Sequence, residues 1–257
     1  MKTVSILGCG WLGLPLAEYL LGKGYAVKGS TRTPETLDAL EAAGIEPYYL
    51  SLDPELSGGD GLDSFFESEV LVINFPPERR DDIVDFHTAQ VRSLIARIEK
   101  SPVKNVVFVS STSVYPELGR DVFEDEEAPP EKASGKALVI AERLLLDNPA
   151  FQTTVLRFGG LIGYDRKPGR FISGRKGLTG GDSPVNLIHR DDSILIIERI
   201  VEKGIYGEIF NACADLHPKR SDYYTAQALR IGVPPPVFEK GGEAGFKNVR
   251  SGKLKRL

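Results

Sequence analysis

The sequence predicts an α/β fold: a doubly wound parallel sheet with helices on both faces, joined to a small region assembled from discontinuous pieces. Three observations carry this. Short β-branched runs alternate with helical stretches as far as Phe158, a glycine-rich turn joins the first strand to the first helix, and the rhythm breaks after Phe158. Strand, helix, strand in steady succession needs crossover connections, and these lay the helices over both faces of a parallel sheet.

Val4–Leu7, Tyr25–Lys28, Tyr48–Leu52, Val70–Phe75, Val106–Ser110 and Thr154–Phe158 read as strands, each too short for a helix. Between them Leu12–Leu21, Pro34–Ala43, Asp81–Lys100 and Lys136–Leu146 read as helices. The second has Thr33 at the N-cap, Pro34 at the first helical position and Gly44 beyond the end, the expected start and stop chemistry. Gly159–Pro184 is glycine-rich with no sustained period and reads as a loop-rich insertion. A helix over Asp191–Glu202, a strand over Glu208–Ala212 and a helix over Asp222–Arg230 then restore the pattern, ahead of the Pro234-Pro235-Pro236 stop. Residues 1–158 and 187–213 are thus expected to form the main domain, and 159–186 with 214–257 the smaller region.

Composition narrows the function classes. A chain of 257 residues is long enough for a sizeable core, and 41% hydrophobic with 26% charged residues is ordinary for a globular protein. No apolar run approaches the ~18–20 residues of a membrane span, so no membrane association is expected. With 32 basic against 36 acidic residues the net charge is −4, which argues against a nucleic-acid partner bound through bulk positive charge. The two cysteines, Cys9 and Cys213, lie far apart, and the N-terminus enters a strand directly, so a reduced, cytoplasmic setting is expected. His87, His189 and His217 lack metal-ligand spacing, and no metal is expected. The acidic stretch Glu124–Glu127 is read as a solvated loop.

The chemistry concentrates in Gly8-Cys9-Gly10-Trp11-Leu12-Gly13, which follows the first strand and opens the first helix. Backbone amides and the helix dipole can there meet a pyrophosphate. The first glycine allows the tight turn, the second lets phosphate approach the backbone, and the third lets helix and strand pack closely. Gly8, Gly10, Trp11, Leu12 and Gly13 are therefore candidate cofactor contacts. An acid near the end of the second strand would grip a free ribose 2′-hydroxyl. This chain has Gly29-Ser30-Thr31-Arg32 instead. Ser30 and Thr31 can donate to phosphate oxygens and Arg32 offers a planar cationic fork, so NADP is favoured over NAD. The alternative is that Arg32 is a solvated residue ahead of a helix.

With that turn, Val107-Phe108-Val109-Ser110-Ser111-Thr112-Ser113-Val114-Tyr115 and Asn186-Leu187-Ile188-His189-Arg190-Asp191-Asp192 in hand, the chain resembles the short-chain dehydrogenase/reductase superfamily, a Rossmann fold. It is most similar to an atypical member of the extended branch, the NAD-dependent epimerase/dehydratase type, from the first strand to about Arg230. Its glycines are spaced GxGxxG, where extended members usually carry GxxGxxG. The resemblance implies that Ser111 holds the reacting oxygen and that Lys136 holds the nicotinamide ribose, making these two the candidate catalytic residues. It adds Leu52 and Asp53 near the adenine, Asn74, Phe75 and Pro76 after the fourth strand, Ser110, and Phe158 with Gly159 near the nicotinamide. Ser111 could instead satisfy loop backbone, Asp53 could cap a segment starting at Pro54, and Lys136 could be a surface lysine. The family's acid/base Tyr lies four residues before the Lys, and here that position holds Lys132. Tyr115 and Tyr164 are the other candidates for the proton.

Arg166, Lys167, Arg170, Arg175 and Lys176 would suit a phosphate or carboxylate on the substrate if they converge on the cleft; the alternative is a solvated basic loop. The sequence thus predicts an NADP(H)-binding oxidoreductase or epimerase/dehydratase-like protein acting on a small polar, anionic metabolite. The alternative is a catalytically inactive dinucleotide-binding regulatory or scaffold protein. By the resemblance, the helices Asp81–Lys100 and Lys136–Leu146 would form a homodimer interface.

Overall fold

A computed structural model describes residues 2–241 and 244–257. The strands are β1 (Thr3–Leu7), β2 (Ala26–Thr31), β3 (Glu46–Leu52), β4 (Leu56–Gly58), β5 (Val70–Ile73), β6 (Asn105–Ser111), β7 (Arg120–Val122), β8 (Gln152–Phe158), β9 (Gly160–Ile162), β10 (Leu187–His189), β11 (Ile209–Ala212) and β12 (Lys247–Val249). The α-helices are α1 (Gly13–Gly22), α2 (Leu37–Ala42), α3 (Leu62–Phe65), α4 (Ile83–Ile98), α5 (Ala133–Leu146), α6 (Arg190–Lys203) and α7 (Arg220–Arg230).

Eight strands form one sheet in the order β11-β8-β6-β5-β1-β2-β3-β4. The pairings of β1 with β2 and β5, of β2 with β3, and of β5 with β6 are parallel, and only the short β4 is antiparallel to its neighbour β3 among the pairings described. The doubly wound α/β fold is therefore present. Burial explains why β5 reads as an uninterrupted apolar run: Val70, Leu71, Val72 and Ile73 are all fully buried. A strand covered on both faces has no polar alternation to display. The order reverses between β2-β1 and β5-β6, which makes the carboxyl ends of β1 and β5 the switch point where such sheets form a ligand crevice.

By contacts the chain divides into two compact units, Met1–Ser110, Glu131–Leu156 and Ile194–Ile209 forming the first and Ser111–Pro130, Arg157–Ser193 and Phe210–Leu257 the second. In the first, α1 buries Leu16, Ala17 and Leu20, α4 buries a stripe from Ile83 to Ile98, and α5 buries Leu138, Ala141, Glu142 and Leu145. Each stripe has the three-to-four-residue spacing of a single helical face, and α4 packs against α5. The expected helix over Pro34–Ala43 is a 3₁₀ turn, Pro34–Thr36, followed by α2, and Thr33 makes no capping bond. Nearby hydroxyls explain the difference: Thr36 Oγ1 donates to the Thr33 carbonyl at 2.7 Å, and Thr31 Oγ1 accepts the Thr33 N–H at 3.0 Å. These local bonds compete with the first helical turn.

In the second unit β9 pairs with β10 and β12 with β7, both in parallel. The insertion expected to be loop is anchored by β9 and by a 3₁₀ turn, Pro168–Arg170, packed against α7. A Cβ at Gly169 would be forced into the backbone of Gln227 and Ala228, so only glycine permits this approach. Beside its pairing with β7, β12 is bound through its backbone by a side chain: Asn186 Nδ2 donates to the Lys247 carbonyl at 2.9 Å and its Oδ1 accepts the Val249 N–H at 2.8 Å, much as a neighbouring strand would. Among the described residues no helix is long and apolar enough to cross a membrane, and no group of three His, Cys, Asp or Glu side chains is placed to hold a metal.

Candidate dinucleotide-binding site

The glycine turn sits at the switch point, clamped from both sides. Gly8 has a φ of 104°, a left-handed conformation that glycine adopts without strain. Its N–H donates to Ser30 Oγ at 3.1 Å, its carbonyl accepts from Asn74 Nδ2 at 2.9 Å, and the Cys9 N–H donates to the Ser30 carbonyl at 2.7 Å. The ends of β2 and β5 therefore fix the first two residues of the turn. A Cβ at Gly13 would overlap the Gly8 carbonyl and one at Gly8 the Asn74 carbonyl, whereas a Cβ at Gly10 would meet nothing within 4 Å. The turn is packed by protein on one side and open in front of Gly10. Behind it α1 begins without a side-chain cap and without an acidic residue in its first turn, so the positive end of its dipole faces that opening uncompensated. This geometry fits a dinucleotide phosphate.

Cys9 and Leu12 are packing residues within the turn. Burial pushes the Cys9 thiol up to about 12, so it is no thiolate, and Leu12 is buried. A Cβ at Gly29 would lie 2.8 Å from Cys9 Sγ, which shows how closely β2 passes under the turn. Trp11 is half-buried at the turn.

The structure divides the predicted adenosine-side residues into braces and open groups. Ser30 is buried and engaged with Gly8, Asn74 braces the same residue, and the Thr31 hydroxyl is occupied by Thr33 and Thr36. Arg32 is exposed and forms an ion pair, Nη1 to Glu78 Oε1, at 2.6 Å. The Leu52 carbonyl accepts from Gln90 Nε2 at 2.8 Å. Asp53 is exposed and has no helix to cap, because Pro54 and Glu55 lead into β4. Phe75 lies edge-on to the His87 ring at 5.3 Å, and Pro76 is exposed. His87 is buried, with Nδ1 on Gln90 Oε1 and Nε2 without a partner among the described residues, and desolvation holds its pKa below the ordinary value, keeping the ring neutral.

At the end of β6 Ser110 donates to Glu142 Oε1 at 2.5 Å, both groups buried. Its hydroxyl is thereby committed to α5. The helix begins at Ala133 with Lys132 as an extended N-cap residue, so Lys132 and Lys136 do not lie one above the other on a helical face. Lys136 is exposed and its ammonium has no ion-pair partner among the described residues, while Leu138 and Glu142 take the inward face.

The second unit holds the remaining predicted residues. Ser111 Oγ accepts the Ser113 N–H at 3.2 Å, the loop-satisfying role weighed for it, and this leaves the hydroxyl proton for donation elsewhere. Phe158 is buried, and Gly159 passes so close to Cys213 and Asn186 that a Cβ would lie 2.8 Å from the Cys213 sulfur. Tyr115, buried, donates to Asn211 Oδ1 at 2.7 Å and accepts from Arg157 Nη1 at 2.7 Å, so both belong to an internal network. Tyr164 is exposed with φ 38° and donates to Asp191 at 2.8 Å beside His189, and Asp192 is exposed.

Sequence reasoning missed Glu78 and Glu142. Nothing local marks Glu78, since its partner lies 46 residues away. Glu142 carried a signal, its place on the inward stripe four residues after Leu138 and three before Leu145.

No family model matches the chain. Protein YeeZ of Escherichia coli (strain K12) is 35% identical to it over 253 residues, spanning 98% of this chain and 92% of that protein. Among solved structures, a short-chain dehydrogenase/reductase superfamily protein from Agrobacterium tumefaciens with bound NAD superposes with TM-score 0.77 at 18% identity, covering 99% of this chain and 90% of that one. UDP-glucose 4-epimerase from Thermotoga maritima, with UDP-glucose, gives 0.78 at 17%, covering 99% and 92%. The chain belongs to the family of Protein YeeZ, and it has the fold shared by these dehydrogenase/reductase and epimerase structures.

Proposed function

We propose that the protein binds NADP(H) at the glycine turn and acts as an oxidoreductase or epimerase on a small, polar, anionic metabolite. The observation that carries this reading is the clamped turn, closed behind Gly8 and Gly13 and open in front of Gly10, with Arg32 beyond the end of β2. Gly10 and the start of α1 would hold the phosphates, Arg32 the 2′-phosphate, and Lys136 the nicotinamide ribose. The bound nicotinamide supplies or accepts hydride. Ser111 keeps a donatable proton and hydrogen-bonds the reacting oxygen of the substrate. In this reading the smaller region, 159–186 with 214–257, recognises the substrate. Lys167, Arg170, Arg175 and Lys176 support an anionic one, being exposed with no ion-pair partner among the described residues. Two copies would associate through α4 and α5, and the setting would be cytoplasmic.

Incubating pure protein and NADPH with a panel of carbonyl compounds should consume reduced cofactor, and Ser111→Ala should slow this by about 100-fold or more, the scale of a lost donor to a reacting oxygen. Unchanged turnover in Ser111→Ala would remove its catalytic role. The exposed positions of Lys132 and Lys136 favour a second reading, a dinucleotide-dependent regulatory or scaffold protein without turnover. That reading predicts no cofactor consumption with any carbonyl and a partner retained in pull-downs only when NADPH is present.

A further inference from the structure

The end of β2 presents Arg32 and no acid, yet the fold brings a carboxylate to that guanidinium from elsewhere. Glu78 follows Asn74-Phe75-Pro76-Pro77 beyond β5, and its Oε1 lies 2.6 Å from Arg32 Nη1. Two consecutive prolines fix φ along this connection, so Glu78 is delivered with little chain entropy left to lose. Of the two cations that follow, Arg80 is engaged elsewhere, pairing with Asp82 and lying 3.5 Å over the Phe86 ring, while Arg79 is exposed with no ion-pair partner among the described residues. The Arg32 side chain is 75% exposed, and only Nη1 is taken by Glu78. Its remaining donors are open to a second anion.

Any 2′-phosphate that reaches Arg32 therefore meets Glu78 as well. A phosphate monoester carries about −1.5 to −2 charges near neutral pH and is repelled by the carboxylate, with which it also shares one guanidinium. A free 2′-hydroxyl is a donor that a carboxylate accepts. Building on the dinucleotide reading above, we propose that Glu78 tempers the NADP(H) preference set by Arg32: from a different element it opposes the 2′-phosphate that Arg32 attracts and accepts from a free 2′-hydroxyl, which narrows the margin between the two cofactors.

Glu78→Gln removes the charge and keeps the shape. Titrating wild type and variant with NADPH and with NADH, by Trp11 emission and by calorimetry, should show the NADPH Kd falling about two- to fivefold, the range one exposed charge pair supplies. The NADH Kd should hold or rise, and the shift in ratio should shrink at high salt as the charges are screened. A ratio that stays fixed or moves toward NADH, with wild type still binding cofactor, overturns the role of Glu78 and leaves the dinucleotide reading standing. Wild type that binds neither cofactor overturns that reading and the role of Glu78 with it.

Discussion

Gly10→Ala is expected to weaken dinucleotide binding by about 10- to 100-fold while leaving the melting temperature of the unliganded protein unchanged or slightly raised. The separation follows from where a methyl group would go. At Gly10 it meets no protein atom within 4 Å, so the free protein accommodates it, and exchanging glycine for alanine reduces the freedom of the unfolded chain. The same methyl occupies the space in front of the turn where phosphate must approach the backbone. Gly13→Ala is the contrasting control, because its methyl drives into the Gly8 carbonyl and within 3.0 Å of Asn74 Nδ2. It should cost about 1–3 kcal/mol of stability as well as binding. Thermal melts with Trp11 titrations on both variants measure the two effects, and wild-type affinity in Gly10→Ala would show that no phosphate lies against the turn.

The second large effect is expected in the second unit. Asn211 is fully buried: its Oδ1 accepts from Tyr115, its Nδ2 donates to the Arg250 carbonyl at 3.2 Å, and its own N–H donates to Glu124 Oε1 at 2.9 Å. Asn211→Ala leaves the Tyr115 hydroxyl and the Arg250 carbonyl without these partners and opens a cavity, an expected loss of about 2–4 kcal/mol. For a chain of this size that is a fall of about 5–15 °C in melting temperature. Tyr115→Phe removes one end of the same network, so the double variant should lose less than the two single losses added together, while strict additivity would mean that the network is not coupled.

These cases show what sequence could and could not supply. Strands buried on both faces, such as Val70–Ile73, announce themselves as apolar runs, and the glycine turn could be placed because strand and helix flank it directly. Arg32 was found for the same reason, by its distance from the turn. Its partner Glu78 was not, since nothing in the chain between them encodes the meeting of β2's end with the segment after β5. The three-residue strands β4, β7, β9, β10 and β12 are too short to show a period, and part of the backbone bonding of β12 comes from the side chain of Asn186, 61 residues from Lys247. At α5 the sequence pattern gives Lys136–Leu146, whereas the helix begins at Ala133 with Lys132 as its N-cap and no side-chain cap to mark the start. The outward direction of Lys136 follows instead from the buried stripe of Leu138, Ala141, Glu142 and Leu145.

The single tryptophan, Trp11, lies in the glycine turn itself and reports directly on dinucleotide binding there. NADPH and NADH are titrated in parallel against the wild-type protein while its emission is followed, with calorimetry alongside. Quenching by both is expected, with the lower Kd for NADPH. If neither cofactor changes the emission and calorimetry registers no binding, the turn is not a dinucleotide site and the proposed oxidoreductase or epimerase function falls with it.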